Sequence, residues 1–215
     1  MKFKFSVKLA LISLIGNIIL GIGIATCRIS QFGIDPFTSM NTGVSDTFHF
    51  SLGIYQMSFN IVLFVVLVLL SRKNLKYLNI GAIINMFLLG YLVQFFNSVY
   101  CSIFKVSTPE QINLGLPMSI IALVVGVLIL TLGCSLYITA DLGTASYDAL
   151  SIYMAEVLPI SYSICRIITD AICVGIALLF KGPLGIATIV LMFGTGPFIT
   201  FWNEKVSKPI VKKFS

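Results

Sequence analysis

Six apolar runs recur along the chain, at residues 9–27, 52–70, 78–96, 117–137, 160–180 and 184–202, with short polar stretches between them. A helix needs about 20 predominantly apolar residues to cross the hydrocarbon of a bilayer, and every run is close to that length. The pattern predicts an all-α polytopic membrane helix bundle of about six transmembrane helices. Little chain is left for a water-soluble domain. Two of the polar stretches have a pattern of their own. Gly33-Ile34-Asp35-Pro36-Phe37 opens one; Asp-Pro is a strong helix start, because the carboxylate accepts from free first-turn amides and proline sits where no donor is needed. Gly143-Thr144-Ala145-Ser146-Tyr147-Asp148 opens the other, with Thr144 or Ser146 placed to cap it. Gly33, Pro36, Gly143 and Thr144 are therefore expected as caps or hinges of two short helices.

A shift of 110 residues, the separation of Gly16 from Gly126, also lays Gly23 on Gly133, Gly33 on Gly143, Asp46 on Glu156, Ser51 on Ser161, Ile54 on Ile164 and Asn60 on Asp170. A shift of 106 lays residues 90–96 over 196–202. Two hydrophobic sequences share some Gly, Ile and Leu by chance. The argument for duplication is the shared order of features: a Gly-punctuated run, a Gly-led polar segment, a run with a polar centre, a basic or Gly-rich loop, then an aromatic run containing Gly. The expected units are residues 1–104 and 117–215, each of three spans with a short re-entrant or interfacial helix. Three is an odd number, so the second unit enters the membrane from the opposite side. Inverted repeats of this kind surround a midplane site in many secondary transporters.

Composition agrees with a membrane solvent: 58% of residues are hydrophobic and 10% charged, with mean hydropathy +1.02. The net charge of +6 does not point to nucleic acid, which requires a basic face. Instead the bases flank apolar runs, as Lys2, Lys4 and Lys8, then Arg72, Lys73 and Lys76, then Lys205, Lys208, Lys212 and Lys213. Retention of Lys and Arg in the cytoplasm predicts a cell membrane protein with both termini on the cytoplasmic side and leaves only Arg28, Lys105 and Lys181 on outer connections. The inner connection at 141–159 departs from this, having no base. Residues 1–27 have the outline of a signal peptide, but the run recurs later as a span and reads as a retained helix. Five cysteines without paired spacing and one histidine offer neither a disulfide framework nor a metal site. No catalytic or cofactor-binding motif occurs, so neither an enzyme nor a cofactor is expected.

The candidate chemistry lies in the few polar residues within or beside spans. Arg166 and Asp170 are spaced i,i+4 on one helical face, where pairing lowers an insertion cost of roughly 2.5–3.5 kcal/mol for each charge. The shift of 110 gives them the neutral counterparts Gln56 and Asn60. With Asp35, Asp46 and Asp148 these form the candidate substrate or ion path: Asp35, Asp46, Gln56, Asn60, Asp148, Arg166 and Asp170. Two readings of the Gly-led segments stay open, surface helices or re-entrant half-helices. Converging half-helix starts would form a positive dipole cage for an anionic or zwitterionic ligand, which the Asp35 carboxylate would oppose. Asn17 lies within the first run among Gly16, Gly21 and Gly23, small residues suited to close helix packing.

On Gly33-Ile34-Asp35-Pro36-Phe37, Leu52-Gly53 and the later Gly-Thr-Ala-Ser-Tyr-Asp segment, the chain resembles the YczE/YyaS/YitT-type bacterial membrane proteins. The resemblance covers nearly the whole chain and implies a multi-pass plasma-membrane protein in a bacterium, with no substrate or site residue to carry over. The residues themselves favour a small secondary transporter or permease for a polar small molecule in the lipid bilayer. The alternative is a substrate-capturing or accessory subunit of a larger transport or export complex. The small size of the bundle is compatible with a homodimer or a partner subunit.

Overall fold

The computed structural model describes residues 7–70, 80–140, 142 and 145–214. Their elements are α1 (Val7–Ile29), α2 (Pro36–Thr47), α3 (Leu52–Leu70), α4 (Ile80–Phe104), a 3-10 turn at Pro109–Gln111, α5 (Leu116–Thr139), α6 (Ser146–Val157), α7 (Tyr162–Leu179), α8 (Ile186–Trp202), a π-helical turn at Asn203–Ser207 and α9 (Lys208–Phe214). A helix satisfies its backbone polar groups within one segment, which lipid demands. Large apolar side chains are exposed along α3 (Val62, Val65, Leu69), α5 (Ile120, Val124) and α8 (Ile189, Phe193). Water would penalise such a surface; hydrocarbon matches it. Helices α1, α3, α4 and α5, and α8 with its continuation to Lys213, are long and apolar enough to cross a membrane. The 18-residue α7 runs with them and carries Arg166 and Asp170.

Side-chain contacts identify the two ends of the bundle. At one end Arg28, in the last turn of α1, lies 2.6 Å from Glu110 in the 3-10 turn and 3.9 Å from Asp46 near the end of α2. Phe48 after α2 meets Phe180 after α7 at the same end, ring centroids 6.0 Å apart. At the other end Leu9 of α1, Leu136 of α5 and Val211 of α9 share one apolar cluster, and Ser135 Oγ lies 2.7 Å from Ser207 Oγ. The start of α1 and the helix α9 thus sit at the same end.

The centre of the bundle is α1 lying antiparallel against α5. Gly16 faces the Tyr137 amide, Gly133 that of Leu20, Gly23 that of Leu130, and Gly126 that of Cys27. A β-carbon added at Gly16 or at Gly126 would come within 2.7 Å of the facing residue, so these positions set how closely the two backbones approach. Leu20, Ile24, Val127, Leu130 and Cys134 close the core around them. Helix α4 packs on α1 and α8 on α5, with α3 beside α4 and α7 beside α8. Of the short helices, α2 lies mainly on α7 and α6 lies on both α7 and α3. Asn17 of α1 receives a 2.6 Å hydrogen bond from Asn85 of α4 and donates to the Ser13 carbonyl at 2.8 Å, which satisfies a buried amide.

Two details differ from the sequence expectation, and a third bears on the two readings it left open. Helix α4 ends at Phe104, beyond the apolar run that stops at 96, because Val99, Cys101, Ile103 and Phe104 continue its apolar character past Asn97 and Ser98. Neither short helix lies flat on a surface: Pro36 through Ser45 are all buried, as are Ser146 through Ala149 and Ser151. Ser146 is the first residue of α6 and not its cap, a place taken by Ala145 without a side-chain hydrogen bond. Asp141, Gly143 and Thr144 lie outside the described residues.

Candidate functional site

After α1 the chain turns back into the bundle. Gly33 adopts φ +93°, a conformation that glycine accepts without strain, and its missing side chain lets the backbone touch Gly185. The Ala187 amide donates to the Phe32 carbonyl at 2.8 Å, and the Thr188 hydroxyl to the Ile34 carbonyl at 2.7 Å, fixing this segment against the start of α8. Asp35 then caps α2, its Oδ1 accepting the Thr38 amide at 2.9 Å, with Pro36 in the first helical position. The second residue of α2 is Phe37, and the second residue of α6 is Tyr147. Their rings stack with centroids 4.4 Å apart, so the two helix starts, each the positive end of a helix dipole, meet in the interior.

A charged cluster adjoins this meeting point. Arg166 of α7 donates through Nη1 to Asp148 Oδ1 of α6, approaches Asp170 Oδ2 at 3.5 Å, and lies over the Tyr147 ring at 4.7 Å. The Tyr137 hydroxyl of α5 donates to Asp148 Oδ2. The Tyr147 hydroxyl donates to Asp170 Oδ1 at 2.5 Å. Asp148 and Asp170 are buried, and charges held there persist only when paired and hydrogen-bonded. One guanidinium, two tyrosines and two aspartates supply that pairing.

The first half of the chain has a neutral counterpart. Gln56 and Asn60 on α3 are buried with both amide heteroatoms unpartnered among the described residues, and Thr38 Oγ1, Asn41 Oδ1 and Thr42 Oγ1 on α2 share that condition, as does Asp35 Oδ2. A buried polar atom without a partner costs about 1–3 kcal/mol. Such a concentration marks an interior suited to polar matter rather than an apolar core.

A cavity of about 700 Å³ opens beside the charged cluster, a volume typical of small-molecule sites. Asp148, Arg166 and Tyr162 form its polar end; Ile138, Ile152, Ile167, Met192 and Phe193 form an apolar wall; Thr195, Gly196 and Thr200 of α8 face it. In the first half α4 is closed onto α3. Gly90 sits against Gln56 and Gly53, the Tyr91 ring covers Gly53, and Gln94 Oε1 accepts the Gly53 amide at 3.2 Å. By contrast a β-carbon at Gly196 would meet nothing within 4 Å. Pro197, inside α8, deprives the helix of one backbone hydrogen bond at that level.

Residues 7–204 match the model of DUF6198, a family of unknown function. The chain belongs to DUF6198. It is 23% identical over 200 residues to the uncharacterized protein YyaS of Bacillus subtilis (strain 168), covering 93% of this chain and 94% of that one. It is 27% identical over 187 residues to the uncharacterized membrane protein YczE of the same strain, covering 86% and 81%. An uncharacterized protein of Haemophilus influenzae is 24% identical over 191 residues, covering 88% and 81%. No solved structure matches.

In this DUF6198 member the residues singled out from the sequence fall into three places. Asp148, Arg166 and Asp170 form one contact network, and Asp35 caps the helix whose second residue, Phe37, stacks on that network's Tyr147. Gln56 and Asn60 lie buried on α3. Asp46 is elsewhere: it sits at the Arg28 end, largely exposed, away from the cluster. Sequence reasoning missed Tyr137, Tyr147 and Tyr162. A signal for Tyr147 was present in the shift of 110 that aligns the two Gly-led segments, which pairs it with Phe37.

Proposed function

We propose that this membrane protein is a small secondary transporter for a polar small molecule, a carrier and not an enzyme, built as inverted repeats 1–104 and 117–215. The observation that carries the reading is the Asp148–Arg166–Asp170 cluster at two converging helix starts, open to a cavity in one half while the matching half is closed. The repeat relation is supported by reciprocity. A shift of 110 turns the Gly16–Tyr137 contact into Gly126–Cys27 and the Leu20–Gly133 contact into Leu130–Gly23. The same shift carries Phe37 onto Tyr147, its own stacking partner. Antiparallel pairing of equivalent helices is what an in-plane two-fold axis requires.

Alternation then amounts to an exchange of shapes between the halves, α8 closing on α7 as α4 leaves α3. The cavity lies toward the end shared by the start of α1 and α9, where the flanking bases cluster. With those bases in the cytoplasm of a bacterial cell, this conformation is open inward. The decisive experiment reconstitutes the purified chain alone in liposomes and offers pooled radiolabelled amino acids, sugars and quaternary amines. Saturable uptake that Arg166→Ala abolishes is expected. Flux without saturation would make the protein a channel, and binding without movement would make it a capture subunit.

A further inference from the structure

Resting on the reading of this cavity as the substrate site, we infer that it takes a zwitterion with an apolar body, chemically an α-amino acid with a large aliphatic or aromatic side chain. The polar end presents one guanidinium and one carboxylate side by side, Arg166 and Asp148, and among the described residues no other charged side chain lines the cavity. Both have hydrogen-bonding capacity to spare. A guanidinium has five N–H donors and an ionised carboxylate about four acceptor sites. Arg166 donates through Nη1 to Asp148 and its buried Nε faces Asp170 at 3.5 Å, which leaves Nη donors for a ligand, while Asp148 accepts one bond from Arg166 and one from Tyr137.

Charge balance selects among ligands that carry a donor, an acceptor or both. A lone cation would offset the one excess negative charge of the cluster, but it must compete with Arg166 for Asp148 and leaves the remaining guanidinium donors unused. A lone anion adds a further negative charge to Asp148 and Asp170, which flank the same guanidinium. A zwitterion places its ammonium toward Asp148 and its carboxylate toward the Nη donors of Arg166 that Asp148 leaves, so that it engages both charges of the pair. It adds no net charge to the buried cluster, which limits the desolvation cost in a low dielectric, and its carboxylate accepts charge-assisted hydrogen bonds from the guanidinium. Ile138, Ile152, Met192 and Phe193 make much of the remaining wall apolar, and the hydroxyls of Thr195 and Thr200 donate to carbonyls of their own helix.

The test is calorimetric titration of the purified protein in nanodiscs with four probes: L-leucine, L-leucinamide, which keeps only the cation, 4-methylpentanoate, which keeps only the anion, and glycine. Saturable leucine binding is expected, with each of the other three at least about tenfold weaker, the loss of roughly one good interaction. Equal or tighter binding of any of those three overturns the inference, and so does the absence of leucine binding up to about 10 mM. Ile152→Trp fills the cavity and is expected to abolish leucine binding; Thr200→Trp, on the opposite wall, serves the same purpose should the first variant fold poorly. Unchanged affinity in a folded variant moves the site elsewhere and overturns the assignment. Leucine binding without counterflow in proteoliposomes would remove the carrier reading and leave this assignment standing. Counterflow of another solute without leucine binding would do the reverse.

Discussion

Arg166 holds two buried carboxylates that would otherwise face one another across α6 and α7. Removing one partner of a buried ion pair leaves the other charge uncompensated, so Arg166→Ala is expected to lower unfolding stability in detergent by about 3–5 kcal/mol. Adding Asp148→Asn to that variant should restore part of the loss, because the charge left behind is then removed. Tyr137→Phe, which deletes only the hydroxyl bonded to Asp148, should cost about 1–3 kcal/mol in the same assay. At the other end Glu110 reads differently. Half-burial pushes its carboxyl up, but the charge and hydrogen bonds of Arg28 outweigh this and hold it below the usual carboxylate range. A lowered carboxylate pKa contributes stability that is present above the ordinary value and lost as pH falls through the lowered one. Glu110→Gln should therefore lower stability modestly at neutral pH, leave it unchanged at acid pH, and so flatten the acid limb of the profile. The Arg166–Asp170 pair was legible in the sequence because its spacing is local. The partnership with Asp148 was not, since it depends on where α6 begins relative to α7, and tyrosine within a span gives no sign of whether its hydroxyl meets lipid headgroups or a buried acid.

At the scale of elements, the α1–α5 crossing is where sequence and structure agree most closely. Glycines along the first run predicted close helix approach, and Gly16 and Gly23 sit against the α5 backbone, as Gly126 and Gly133 of α5 sit against α1. Gly133→Val would drive a branched side chain into the Leu20 backbone and the Gly16 carbonyl. The helices must separate, and a cost of about 1–3 kcal/mol or more is expected. Gly175 on α7 is the control, since a β-carbon added there would meet no atom within 4 Å; Gly175→Ala should be neutral or stabilise by up to about 1 kcal/mol through helix propensity. Thermal unfolding of the two variants in the same detergent checks the contrast. The depth of α2 was not legible. Its Thr38, Ser39, Asn41, Thr42 and Ser45 suit a water-exposed surface as well as a polar interior, and only its neighbours decide: Gly182 of the α7–α8 connection against Ser39 and Gly43, and Phe59, Leu63, Cys173 and Ala177 around Phe37 and Met40.

For the whole molecule, the unequal halves make a prediction that a static bundle would not. On the proposed repeat relation Gly196 corresponds to Gly90, and Arg166 to Gln56. A β-carbon at Gly90 would already lie 3.0 Å from Gln56 Cβ, so when α8 closes on α7 in the same manner Gly196 must come equally close to Arg166. Gly196→Leu puts its side chain into open space in the present conformation and should leave folding stability within about 0.5 kcal/mol. In the alternate conformation that side chain has no room, so the substitution shifts the population toward the inward-open form. Gly90→Leu acts in the opposite sense, since it clashes with the closed first half. The readout is the labelling rate of Thr200→Cys by a membrane-impermeant thiol reagent applied to the cytoplasmic face of inverted vesicles, in a background lacking the native cysteines. Gly196→Leu should raise that rate and abolish counterflow, and Gly90→Leu should lower it. Normal counterflow in Gly196→Leu would mean that α8 never closes on α7, because a rigid bundle has no second shape in which a leucine at this position is felt.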